Sequence, residues 1–136
     1  MIILDCSAAI AIVRKTPEGQ ALSQLVSDDE KIIAPNLFYA ELGNSLFKYT
    51  RAGEIEESKV SAAIRAAENL VDGFRSEEDF LTEAVAEAVR LNHSVYDMLY
   101  FVLARREAAT LLTLDQKLQN LCLDNGVNCV RLDAKF

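Results

Sequence analysis

Short apolar runs at 1–4, 31–34, 109–114 and 127–132 alternate along the chain with longer stretches in which apolar residues recur every three or four positions. Few architectures satisfy that alternation. A run such as Ala109-Thr110-Leu111-Leu112-Thr113-Leu114 suits a strand covered on both faces, and helices placed between strands supply the cover. The pattern predicts an α/β fold, a three-layer α/β/α sandwich with a mostly parallel central sheet. Helices are expected over 8–13, capped by Asp5 or Ser7, and from Pro17 to about Val26, entered through Thr16-Pro17-Glu18. Two more, from Pro35 through Tyr49 and from Glu54 to Val71, are expected to form a hairpin. After a short strand near 72–75, helices should follow over 78–91, 95–107 and 115–125, the last ended by Gly126. Among 136 residues with two prolines and five glycines nothing marks a linker, so one domain over 1–136 is expected.

The apolar stretches are too short to span a bilayer. Met1-Ile2-Ile3-Leu4-Asp5 also lacks the basic segment and apolar length of a signal peptide, so the expectation is a cytoplasmic protein with no membrane partner. Three cysteines, with Cys122 and Cys129 spaced unlike a zinc pair, predict reduced packing thiols. A net charge of −7 argues against a nucleic-acid partner until the charges are located. Ten acids and three basic residues lie between Glu54 and Glu87, which leaves the remainder neutral and free to meet phosphate.

In parallel sheets, ligands sit beyond the carboxyl ends of the strands. Asp5 and Asp115 fall there, each before a helix, and each fits either an N-cap or a ligand. Glu41 and Asp97 lie inside helices on rows that are otherwise largely uncharged: Leu37, Phe38, Asn44 and Ser45 surround the first, His93, Ser94, Tyr100, Phe101 and Ala104 the second. No lysine or arginine stands within a turn of Asp97, and a carboxylate in apolar company needs a cation. The four acids Asp5, Glu41, Asp97 and Asp115 thus form a candidate all-oxygen site for Mg²⁺ or Mn²⁺, with caps and satisfied buried acids as the alternative. The chemistry implied is phosphodiester hydrolysis. Dinucleotide and P-loop glycine motifs are absent, and His93, the one histidine, reads as a cap or surface residue. Arg14, Lys15, Lys48 and Arg51 are candidates for tracking a phosphate backbone, with solvated surface as the alternative.

Ile3-Leu4-Asp5-Cys6-Ser7, Pro35 with Glu41 six residues on, Tyr96-Asp97-Met98-Leu99-Tyr100 and Leu111-Leu112-Thr113-Leu114-Asp115 together resemble a PIN domain, and most nearly the VapC-type toxins of prokaryotic toxin–antitoxin pairs. The resemblance runs the whole chain in order. It implies a PIN-like fold and a metal-dependent endoribonuclease acting on RNA, with Asp5, Glu41, Asp97 and Asp115 as catalytic and metal-holding acids and Ser7 and Thr113 as polar supports. It also implies a homodimer and a small antitoxin through which operator DNA is bound. Met98 departs from the small residue that commonly follows the third acid, and Phe101-Val102 makes that helix bulky. A housekeeping PIN nuclease of RNA processing and a non-catalytic PIN-like interaction module are the alternatives.

Overall fold

The structure is a computed structural model and describes residues 1–132. Four strands of three or four residues, β1 (Ile2–Leu4), β2 (Ile32–Pro35), β3 (Gly73–Arg75) and β4 (Thr110–Leu112), pair in the order β3-β2-β1-β4, every pair parallel. Parallel neighbours need crossovers, and these are helical: α1 (Cys6–Val13) and α2 (Pro17–Leu25), then α3 (Leu37–Arg51) and α4 (Val60–Glu68), then α5 (Leu81–Leu91) and α6 (Val95–Arg106), with α7 (Gln116–Asp124) after β4. This is the expected α/β/α sandwich.

Side-chain alternation along so short a strand decides the layers. In β1, Ile3 points into a core shared with α5, α6 and α7, whereas Ile2 and Leu4 point into a second core with α1, α2 and α3. The bulk of α6 belongs to the first core, where every residue from Met98 to Ala104 is buried. Met98 and Phe101 therefore fill interior space. The layer of α1 and α2 is set by a close approach: a Cβ on Gly19 would lie 2.0 Å from the Ala11 carbonyl oxygen. Only glycine lets the second helix pack there, and Thr16 caps it by accepting from the Gly19 amide at 3.1 Å.

Three expected boundaries are corrected. Pro35 ends β2, paired in register with Arg75, because the ladder runs on to the bond from the Asn36 amide to the Arg75 carbonyl (3.0 Å), and the chain turns into α3 only at Asn36, whose φ of −60° and ψ of −25° are already helical. The helix expected over 54–71 begins only with one 3-10 turn at Glu57–Lys59, since the Glu54 amide folds back onto the Tyr49 carbonyl (2.9 Å) through Gly53 at φ 74°. The strand expected over 127–132 is a single bridge between Leu111 and Cys129, made by two backbone bonds at Leu111. The cysteines behave as packing thiols, all three free, with Cys6 and Cys122 buried. Among the described residues, no helix is long and apolar enough to cross a membrane.

Candidate active site

The two helical layers meet just past the carboxyl ends of β1 and β4, and the four sequence-predicted acids meet there too. Asp5, Glu41, Asp97 and Asp115 line one cavity of about 470 Å³, each delivered by a different element. Asp5 leaves the central strand and caps α1, accepting the Ala8 amide at 3.0 Å on Oδ1. Ser7 donates to the same oxygen at 2.7 Å, and Thr113 donates its hydroxyl to Oδ2. Ser7 also accepts the Leu114 amide at 3.0 Å, so the two supports predicted beside the acid tie the β1 and β4 ends into one network. Asp5 is only 7% exposed. Burial pushes its carboxyl up to about 6 despite those donors, and the nearby Asp97 charge adds to the rise.

Glu41 stands on α3, in the same helical layer as α1, and the Tyr100 hydroxyl of α6, from the opposite layer, donates to its Oε1 at 2.6 Å. Desolvation raises its pKa, the tyrosine bond opposes the rise, and the charges of Asp5 and Asp97 reinforce it. Asp97 sits in the first turn of α6 with about a quarter of its side chain exposed, and accepts at Oδ2 from His93 Nε2, 2.7 Å away. That corrects the reading of His93 as a cap or surface residue, since its side chain is only 5% exposed. Asp115 is exposed and caps α7, accepting the amides of Lys117 (2.9 Å) and Leu118 (3.3 Å) on one oxygen. Its own amide donates to Thr113 Oγ1 at 3.1 Å.

Of the predicted basic residues, Arg14 lines the cavity and Lys48 lines a shallower neighbouring one; Lys15 and Arg51 line neither. Sequence reasoning missed the roles of His93 and Tyr100. The signal was spacing: His93 precedes Asp97 by four positions and Tyr100 follows it by three, so both share its helical face. Cys6, also on the cavity wall, is pushed up to about 12 by burial and by the Glu41 charge, which leaves it a protonated wall residue.

Carboxylates crowded into a partly buried cavity raise one another's proton affinity unless a cation joins them. Among the described residues, no three acidic, histidine or cysteine side chains form a ready-made ligand cluster, and the four acids come together only as walls of one cavity. Carboxylate oxygens are the donors a hard divalent ion takes, and Asp5, Glu41 and Asp97 are the residues that could hold one, with Asp115 at the rim.

A family model of the PIN domain matches residues 2–123. The chain belongs to the PIN domain family. Ribonuclease VapC1 of Mycobacterium tuberculosis is 35% identical to this PIN domain over 117 residues, which cover 85% of this chain and 86% of the relative. Ribonuclease VapC3 of Pyrobaculum aerophilum is 29% identical over 122 residues, 86% of this chain and 91% of the relative. Among solved structures, PAE2754 from Pyrobaculum aerophilum superposes with a TM-score of 0.71 at 23% identity, over 88% of this chain and 82% of that one. VapBC2 from Rickettsia felis, crystallised with a DNA fragment from their promoter, gives 0.69 at 16% identity, over 98% and 100%. At those identities the two structures bear on the PIN fold alone.

Proposed function

We propose that this PIN domain is a metal-dependent endoribonuclease that hydrolyses RNA phosphodiester bonds in the cytoplasm, and that it is the toxin of a toxin–antitoxin pair. The observation that carries the proposal is the meeting of Asp5, Glu41, Asp97 and Asp115 on one cavity, in a chain 35% identical to a protein named Ribonuclease VapC1. Asp5, Glu41 and Asp97 would hold Mg²⁺ or Mn²⁺, and Asp115 would complete the rim. When bound, the ion would supply charge stabilisation at the phosphate and would lower the pKa of a water so that it can lose a proton and attack as hydroxide near neutral pH.

The remaining steps belong to the protein. Ser7 and Thr113 hold both Asp5 oxygens, so the acid enters the reaction already oriented. Tyr100 does the same for Glu41 and His93 for Asp97. Because every acid but Asp115 is half-buried or better, its charge is strong where the phosphate arrives and weakly screened by salt. Partners follow from the same reading: an RNA substrate, a second copy as homodimer, and a small antitoxin that covers the cavity and carries any contact to operator DNA.

The test is cleavage of a mixed RNA pool by purified protein with Mg²⁺ or Mn²⁺, with EDTA, and with Asp97→Asn alongside. Cutting that needs the metal and vanishes in the variant supports the proposal. An Asp97→Asn protein that cuts at the wild-type rate removes Asp97 from it, and a protein that neither cuts nor melts higher with metal returns the domain to an inert interaction module.

A further inference from the structure

Among the described residues, the cavity that holds the acids is lined by six ionisable carboxylate and guanidinium side chains, and Arg14 is the only cation of the six. A phosphodiester entering this space meets Asp5, Glu41 and Asp97 on the floor and Glu18 on the wall. Even with a divalent ion bound, a second fixed positive charge is what would hold the strand on either side of the reacting bond.

Arg14 is placed for that task by two contacts. Its guanidinium carbon lies 4.3 Å from the centre of the Tyr49 ring, and Nη2 lies 3.5 Å from Glu54 Oε2. The first contact orients the flat fork against an aromatic face. The second is a tether between side chains 31% and 52% exposed, a pairing that contributes little in water and yields readily to a better anion. The acid cavity also does not end at Arg14. A shallower cavity of about 320 Å³ shares Ser45 and Tyr49 with it and carries Lys48 and Glu54 on its wall. Together they run from the acids past the Arg14–Tyr49 stack to Lys48.

We infer that Arg14, seated on Tyr49, grips the phosphate backbone of single-stranded RNA beside the bond to be cut, and that Glu54 holds the arginine in reserve until phosphate displaces it. This deepens the proposed ribonuclease reading and rests on it. Lys48 makes the next contact along the groove. Lys15 and Arg51, which line neither cavity, make none.

The experiment is fluorescence anisotropy of a labelled oligouridylate 12-mer in EDTA, repeated over a range of salt concentrations, with full-length protein. Arg14→Ala should weaken binding roughly tenfold and flatten the plot of log affinity against log salt by about 0.7, the share of one phosphate contact on a single strand. Arg14→Lys should keep the slope and lose part of the affinity, Arg51→Ala should change neither, and Glu54→Gln should tighten binding about two- to threefold by freeing the guanidinium. Glu54→Gln alters an exposed side chain, so its gain is readable even if Arg14→Ala folds poorly. Equal affinity and slope for Arg14→Ala and wild type, or weaker binding by Glu54→Gln, overturns the inference and leaves the nuclease reading intact if wild type still binds and cuts. A wild type that neither binds the oligomer nor cuts the RNA pool overturns both.

Discussion

Two junctions of this molecule are written in the same local grammar and have different characters. At the end of β1, Asp5 follows the strand and caps α1; at the end of β4, Asp115 follows Thr113 and Leu114 and caps α7. Yet Asp5 is 7% exposed and held at both oxygens by hydroxyls, whereas Asp115 is exposed and accepts only the amides of its own helix. The difference comes from the sheet. Strand β1 has a neighbour on each side, while β4 has β1 on one side and a single bridge on the other. A cap beyond a central strand is walled in by both helical layers; a cap beyond an edge strand stays in water. Local capping is thus shared by both acids, and burial divides the one placed for chemistry from the one placed at its rim.

The sharpest way to break this comparison is to neutralise each aspartate in turn. Asp5→Asn should slow RNA cleavage by about 10²- to 10³-fold, while Asp115→Asn should slow it by less than about tenfold, as initial rates on one RNA substrate would show. Equal losses would erase the distinction between wall and rim.

The second prediction concerns pH. With its pKa lifted from 3.8 to about 6, folded Asp5 holds a proton that the unfolded chain has released, so between those values the folded state binds more protons. Asp5's contribution to stability is therefore fully present below about pH 4 and is lost as pH rises through about 6, a change of at most about 3 kcal/mol. Glu41, raised in the same direction, adds to it. Urea midpoints of wild type minus those of Asp5→Asn, followed from pH 4 to 7 without metal, should fall with pH, and Mg²⁺ should flatten the trend. Asp115→Asn, which retains Asp5, should by itself keep the fall of the urea midpoint with pH.

Thr113 joins the two junctions, since its buried hydroxyl donates to Asp5 and accepts from the Asp115 amide. Thr113→Val should cost about 1–2 kcal/mol in urea unfolding and slow cleavage, and Thr113→Ser should recover most of both. The smallest effect belongs to the exposed cap: Asp115→Ala should cost about 1 kcal/mol through loss of its bonds to the Lys117 and Leu118 amides, with Asp115→Asn nearly neutral by the same melt.

Much of this was legible without coordinates. The alternation of strand-length runs with helical periods led to the sandwich, and the rows around Glu41 and Asp97 showed acids in company that made little sense on a surface. What sequence could not show was set by the tertiary surroundings. Pro35 looks like a helix opener because nothing local reveals that β3 will pair with it. The run at 127–132 has the composition of a strand, but its pairing with β4 stops at Leu111. His93 lies two residues before α6, so its nearness to Asp97 along the sequence does not reveal that its side chain is buried against that carboxylate. Arg14 and Lys15 are adjacent in sequence and alike in charge, and only the fold assigns one to the groove and the other to solvent.

The Thr113 bond to Asp5 has a consequence in time as well as space, because it joins residues 108 apart in a chain of 136. Strand β1 is made first, but the oxygens of its aspartate gain their second hydroxyl, and the cavity gains its last wall, only when β4 and the start of α7 have emerged from the ribosome. Non-local pairings of this kind form late in folding. A growing chain therefore carries Asp5 without its Thr113 bond until the residue 108 positions further on has been made, and a working cutter of RNA is not assembled before then.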